Sequence, residues 1–222
     1  LADHQAAIGL LETLRQQSGA AWLPEWSDTL ADALMNRSHT YGTIGHLSEA
    51  RADCNTAIAL WKEARRQIGP KWPRTWEEKL AGAYANRGNA YTISGDLAAA
   101  QADHETAIQL SEGLRRKMGI DWSPAYANHL ASAYMNRGNV RSSCGDLTGA
   151  LADYDRAIAL QEDDPPKTIG DDRSPGWVNA LVDVYTNRGI ARCRGGHTTG
   201  ALADYNRAIE LMTQLSQRPG LD

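Results

Sequence analysis

The stretch Leu151–Leu160, LADYDRAIAL, returns almost unchanged at Ala201–Leu211 as ALADYNRAIEL. Fainter copies stand at 51–60 (RADCNTAIAL), 101–110 (QADHETAIQL) and 1–10 (LADHQAAIGL). A second marker keeps the same beat. Asn36-Arg37, Asn86-Arg87, Asn136-Arg137 and Asn187-Arg188 follow one another in steps of 50, 50 and 51 residues. Self-similarity at a fixed period is the mark of a repeat architecture. The 222 residues therefore read as one repeat domain, 1–222: a half repeat at 1–20, repeats at about 21–70, 71–120, 121–172 and 173–217, and a short tail at 218–222.

Each unit reads as two helices. In the third, Ser123 stands at a helix cap with Pro124 at the first helical position. Tyr126, Leu130, Ala133, Tyr134 and Gly138 then recur at three-to-four spacing. Gly145 is placed to end this helix in a left-handed conformation, and Asp146 to cap the next, whose apolar stripe is Leu147, Ala150, Tyr154, Ala157 and Ile158. A lone hairpin of this kind cannot bury its apolar face, whereas stacked neighbours can.

Gly138, Gly145, Ala150, Tyr154 and Ala157, with Tyr134 before them, fall at the spacing of the tetratricopeptide repeat, which the chain resembles in four registers. The second repeat matches through Tyr84, Gly88, Tyr91, Gly95, Ala100 and Ala107. The first matches through Leu34, Ser38, Tyr41, Gly45, Ala50 and Ala57, and the fourth through Tyr185, Gly189, Gly196, Ala201, Tyr205 and Ala208. The resemblance implies an all-α fold, an α-solenoid of stacked antiparallel helix hairpins forming a superhelix of about nine helices. Two departures stand out. The family period is about 34 residues, and the surplus here lies between one unit's second helix and the next unit's first. This predicts helices of about twenty residues, near 30 Å long. The other departure is arginine at the seventh position, where the family more often has a large apolar residue.

Those arginines, Arg37, Arg87, Arg137 and Arg188, each have an aspartate sixteen residues later: Asp53, Asp103, Asp153 and Asp204. The spacing predicts an ion pair across each hairpin; the other reading is a row of arginines for an anionic partner. Asp3 lacks such an arginine because the chain opens halfway through a hairpin. With the missing initiator methionine, this suggests a chain processed or excised from something longer.

Lys and Arg number 23 against 27 Asp and Glu, a formal charge of −4, which argues against a general nucleic-acid surface. No run of eighteen apolar residues predicts a membrane span, and the N-terminus lacks the pattern of a signal peptide. Three widely spaced cysteines, Cys54, Cys144 and Cys193, suit a reduced, cytoplasmic chain. The histidines form no metal-ligand spacing, and no nucleophile-elbow, phosphate-loop or dinucleotide motif occurs. No enzyme and no cofactor is therefore expected. His4 and His104 share the core slot of Tyr154 and Tyr205, and His46 and His197 the inter-helix turn. Arg65-Arg66 and Arg115-Arg116-Lys117 complement helix dipoles or form a basic edge. The acidic run Glu162–Gly176 reads as a solvated loop, or as a divalent-cation site.

On the family pattern a protein or peptide segment binds the concave face of the first helices. Its candidate contacts here are Met35, His39, Asn89, Thr92, Met135, Asn139, Ser142 and Arg194, a small, polar surface. Asparagine can pair an extended backbone as donor and acceptor, or bond neighbouring helices, as Asn36, Asn86, Asn136 and Asn187 can. The lysines with which chaperone-binding members clamp a carboxylate are absent at the inward positions. A self-assembly module is the alternative, a homo-oligomer through terminal helices that still show Ile8, Leu11, Leu14, Ile209, Leu211 and Leu215. Finally, AWLPEW (21–26), KWPRTW (71–76), DWSPAY (121–126) and SPGW (174–177) place Trp22, Trp26, Trp72, Trp76, Trp122, Tyr126 and Trp177 at a repeated joint. There proline opens the helix and an indole N–H remains free for a partner. The other reading is an aromatic row along one edge, outside the groove.

Overall fold

The computed structural model describes residues 2–119, 122–162 and 174–218. Among the described residues the regular elements are all helical: α1 (Ala2–Ser18), α2 (Pro24–Thr43), α3 (Leu47–Ile68), α4 (Arg74–Ser94), α5 (Leu97–Met118), α6 (Pro124–Ser143), α7 (Leu147–Glu162), α8 (Pro175–Arg194) and α9 (Thr198–Ser216). The fold class is all-α, of the α-solenoid type. The helices gather into two compact units, Leu1–Lys117 and Met118–Asp222. In the first, α1 packs on α2, α2 and α3 form a hairpin, and α3 packs on α4; α5 closes a second hairpin with α4. In the second, the hairpins α6/α7 and α8/α9 meet through α7 and α8.

One turn builds every hairpin. Gly45, Gly95, Gly145 and Gly196 have φ of +81°, +82°, +85° and +79°, a backbone that costs a residue with a Cβ about 1–2 kcal/mol. The following amide then reaches back to the last helical turn, as His46 N does to Tyr41 O at 2.9 Å and Asp146 N to Arg141 O at 2.9 Å. These bonds satisfy carbonyls that the helix end would leave orphaned. Asp96 and Asp146 open α5 and α7 by accepting from Ala99 N and Gly149 N at 3.2 and 2.9 Å. His46 and His197, at the same place, make no such side-chain bond.

Helix entry differs from expectation in two details. Ser123 holds the cap position of α6, but its hydroxyl makes no capping bond; the equivalent Ser174 accepts from Trp177 N at 3.3 Å. Pro24, Pro124 and Pro175 occupy the first helical turn, whereas Pro73 sits one residue earlier, at the cap of α4. KWPRTW carries its proline one place ahead of AWLPEW, and the helix start stays in register with the tryptophans.

Within the hairpins, small residues meet large ones. A Cβ on Gly88 would lie 2.8 Å from His104, on Gly138 2.8 Å from Tyr154, and on Gly189 2.6 Å from Tyr205. In the first repeat, Ser38 takes the glycine position because its opposite number is the small Cys54, 3.0 Å away. Ser38 Oγ also donates to Ala50 O at 2.9 Å.

The terminal helices correct one expectation. Ile8, Leu211 and Leu215, counted among the open-end side chains, are buried at 1, 3 and 9% exposure. The residues left open on those helices include Leu10 and Leu14 on α1 and Leu202, Ile209 and Met212 on α9.

Candidate functional site

The repeated arginines lie on the first helix of each hairpin and their aspartates on the second. Arg37 Nε and Nη2 donate to the two oxygens of Asp53 at 2.7 and 2.6 Å, and Arg87 does the same to Asp103. Arg137 clasps Asp153 at 2.9 and 2.5 Å, and Arg188 Nη2 reaches Asp204 at 2.6 Å. The aspartate side chains keep only 3–7% of their exposure, so these are buried forks, in which losing one partner strands the other. The bonds to Asp53 and Asp103 raise the pKa of Arg37 and Arg87 despite burial. A third helix joins in each of three repeats. Arg37 Nη1 donates to Gln5, Arg87 Nη1 to Asn55 and Arg188 Nη1 to Asp155, each at 2.6 Å. The arginines are thus held by neighbouring helices within their units.

The face built from first helices carries a cavity in the first unit. About 200 Å³ in volume, it is lined by Ser38, His39, Gly42 and Thr43 of α2, Leu47 and Ala50 of α3, and Asn86, Asn89, Ala90 and Ile93 of α4. It brings His39 and Asn89 together and adds Asn86 and the exposed Ile93. Met35 instead lies partly buried against the core, and Thr92, whose hydroxyl turns back to Gly88 O at 2.9 Å, is outside the lining. Beside this face Lys79 bridges Asp28 and Asp32 at 2.8 and 2.6 Å. Burial, more than the nearby Asp28 charge, holds the Asp32 carboxyl above its ordinary value against the lysine's pull.

In the second unit three of the predicted contacts meet around Tyr154. Its hydroxyl donates to Asn139 Oδ1 at 2.8 Å, and Arg194 Nη1 donates to Ser142 Oγ at 3.0 Å. Ser142 is buried, so its hydroxyl serves this network. Burial first, then the Asp153 charge, pushes the Tyr154 phenol up to about 12, against the opposing effects of Ser142 and Arg194. Met135 is half-buried and Arg194 exposed.

The tryptophans pair off by repeat. Trp22 meets Trp26, Trp72 meets Trp76 and Trp122 meets Tyr126, each with ring centroids 5.5 Å apart; Trp177, aligned with Trp26, is buried. The indole N–H groups differ between repeats. Trp22 Nε1 donates to Ser27 Oγ at 2.6 Å, while those of Trp72 and Trp122 are buried away from solvent. The residue five places on is Ser27, Glu77 or Ala127, and only the serine makes this bond.

A larger cavity, about 640 Å³, opens between α3, α4 and α5 and is lined by Lys62, Arg65, Arg66, Leu80, Tyr84, Thr106 and Leu110. Its sequence trace was the basic pair at the end of α3. Arg65 bonds Glu77 at 3.2 Å and lies 5.9 Å from the Trp72 ring centre, and Arg66 pairs with Glu63. Residues 163–173 of the acidic run lie outside the described residues. Among the described residues no group of three or more His, Cys, Asp or Glu is placed to hold a metal ion, and no helix is long and apolar enough to cross a membrane.

Repeated hairpins, with a small-to-large contact inside each and a polar first-helix face, define a helical-repeat protein. The chain carries tetratricopeptide repeats: the tetratricopeptide repeat family model matches residues 31–60, 81–113 and 131–164. Among solved structures, BtubC (BKLC) from P. vanneervenii is similar at 18% identity over 99% of this chain and 77% of that one, with a TM-score of 0.70. MamA is similar at 19% identity over 98% and 93%, with a TM-score of 0.58. A Podosopora anserina putative kinesin light chain with nearly identical TPR-like repeats is similar at 14% identity over 98% and 90%, with a TM-score of 0.55. At these identities the likeness is one of fold. No curated protein matches the sequence. The repeats support a protein-interaction scaffold in general terms.

Proposed function

We propose that the chain is a non-enzymatic scaffold that holds a protein or peptide segment against its first helices. The observation that carries this is the cavity of about 200 Å³ where His39, Asn86, Asn89 and Ile93 converge. Asparagine amides supply a donor and an acceptor to an extended backbone, and Ile93, 69% exposed, offers an apolar contact to one side chain. In the second unit the Oδ1 of Asn139 is taken by Tyr154, and the exposed Arg194 offers donors only. The reading places the protein in the cytoplasm and asks for no cofactor, nucleic acid or membrane. The test is quantitative capture of partners by the native chain, by Ile93→Glu with Asn86→Ala, and by Gln109→Glu on the exposed side of α5. The reading expects partners lost by the first variant and kept by the second; undiminished capture by the first would overturn it.

A second reading, association of copies through the terminal helices, draws on the exposure of Leu10, Leu14, Leu202, Ile209 and Met212. Light scattering over a wide concentration range decides it: a mass that stays at one chain rejects self-assembly.

A further inference from the structure

The outer face of α9 matches a face that is elsewhere covered. In α3, Cys54, Ile58 and Trp61 form a stripe buried to 0, 5 and 1% exposure, and α4 packs over it, with Leu80 in the same core cluster as Ile58 and Trp61. In α7 the same positions, Tyr154, Ile158 and Gln161, are buried to 1, 6 and 2%, and α8 packs on that helix. In α9 they are Tyr205, Ile209 and Met212, preceded by Leu202; here Leu202, Ile209 and Met212 are 57, 63 and 45% exposed. The opposite face of α9 is buried as in the other hairpins, with Ala208 at 6% and Leu211 at 3%. The stripe's three- and four-residue steps form one helical face.

The polar part of the interface is repeated too. Gln5, Asn55 and Asp155 each accept Nη1 of the next hairpin's arginine at 2.6 Å. Asn206 holds that position on α9 and is exposed. The internal interfaces therefore specify the chemistry of what fits: a helix with leucine seven residues, and a large side chain three residues, before an arginine. Leu80, Tyr84 and Arg87 of α4 are one instance, and Leu181, Tyr185 and Arg188 of α8 another.

We infer that the Leu202–Tyr205–Asn206–Ile209–Met212 face of α9 docks an amphipathic helix of this kind from a partner protein, its arginine on Asn206 and its leucine and large side chain against the apolar stripe. A second copy of the chain has no such helix to spare, because Leu30, Leu80, Leu130 and Leu181 are already buried to 0–2%. The inference does not rest on the first-helix groove, and its test leaves that groove untouched.

The probe is a fluorescent peptide with the sequence of Arg74–Ser94, held helical by a side-chain staple on its solvent face and titrated by anisotropy into the full chain. Saturable one-to-one binding is expected. Ile209→Asp, at a position exposed enough to leave folding intact, should weaken it tenfold or more. A peptide with Arg87→Ala should bind the native chain about tenfold more weakly, yet lose little further on an Asn206→Ala chain, since the two changes remove one bond. Absence of saturable binding, equal affinity for the Ile209→Asp chain, or additive losses would overturn the inference. So would light scattering that finds a dimer which Ile209→Asp returns to monomer, because the occupant would then be a second copy.

Discussion

Four residues beyond the repeated arginine, the first unit carries Tyr41 and Tyr91 where the second carries Arg141 and Arg192. The consequence falls on the aspartate. Asp53 and Asp103 are each forked by one of the repeated guanidiniums, and the tyrosines face cations instead, Arg37 over Tyr41 at 5.7 Å and Arg51 over Tyr91 at 5.2 Å. Asp153 and Asp204 each take a second cation, Arg141 at 2.9 Å and Arg192 at 2.8 Å. The added arginines also reach the carbonyls of Gly149 and Gly200 at 3.4 and 3.3 Å. A small residue suits that position, since a Cβ on Gly200 would come within 3.2 Å of Arg192 Cδ; the first unit has Glu49 and Ala99 there. One hairpin geometry thus carries two charge arrangements, and the second concentrates more of its polar interactions on one carboxylate.

The largest contrast should follow from removing that carboxylate. Asp153→Ala removes the carboxylate shared by two arginines, whose side chains are only 10 and 22% exposed, and should cost about 3–5 kcal/mol in urea unfolding. Asp53→Ala removes the carboxylate held by Arg37 alone and should fall at the low end of that range or below it. Equal losses would mean that the second cation adds nothing to the interaction. Next in size is the close contact. Gly138→Ala pushes a Cβ to 2.8 Å from Tyr154 and should cost about 1–3 kcal/mol through overpacking. Ser38→Ala in the first unit, where a Cβ already fits beside Cys54, should lose the hydroxyl's bonds to Ala50 O and Cys54 Sγ without overpacking, about 1 kcal/mol. If shrinking the opposing side chain with Tyr154→Leu fails to relieve Gly138→Ala, steric contact is not the cause. Arg141→Tyr imports the first unit's arrangement into the second. It should cost about 1.5 kcal/mol, the scale of a charged hydrogen bond, and a neutral result would make the two arrangements equivalent.

The sequence reveals what repeats and conceals what depends on rotation about a helix axis. The four glycine turns, the sixteen-residue arginine–aspartate spacing and the long helices are local and recur, so each copy checks the others. The open faces of α1 and α9 were harder. Leu10 and Leu11, or Leu211 and Met212, are neighbours in sequence but lie 100° apart around the helix, and packing alone decides which is covered. The candidate site was legible in part for the same reason. His39 and Asn89 share one cavity because their repeats are in register, whereas Met35, at an equally regular position, turns partly to the core. Ser142 and Asn139 look like groove residues until Tyr154 is placed among them, since spacing does not show where a phenol oxygen ends. The 640 Å³ cavity left only a basic pair as its trace, because the space depends on how three helices diverge.

Tyr154 also supplies the smallest and most specific contrast between the units, since its counterpart in the first repeat is Cys54. Tyr154→Phe removes the bond to Asn139 Oδ1 and should cost about 1 kcal/mol at neutral pH. Its pH dependence separates this network from simple packing. The folded phenol titrates at about 12, above its unfolded value near 10, so folding favours the neutral form. That contribution is fully present below the unfolded value, and it is lost as the pH rises through the folded one. The native chain's advantage over Tyr154→Phe should therefore hold to about pH 10 and shrink between about pH 10 and 12. Parallel stability curves across that window would show that the phenol gains no preference for its neutral form on folding. The ring would then act in the core only by its volume.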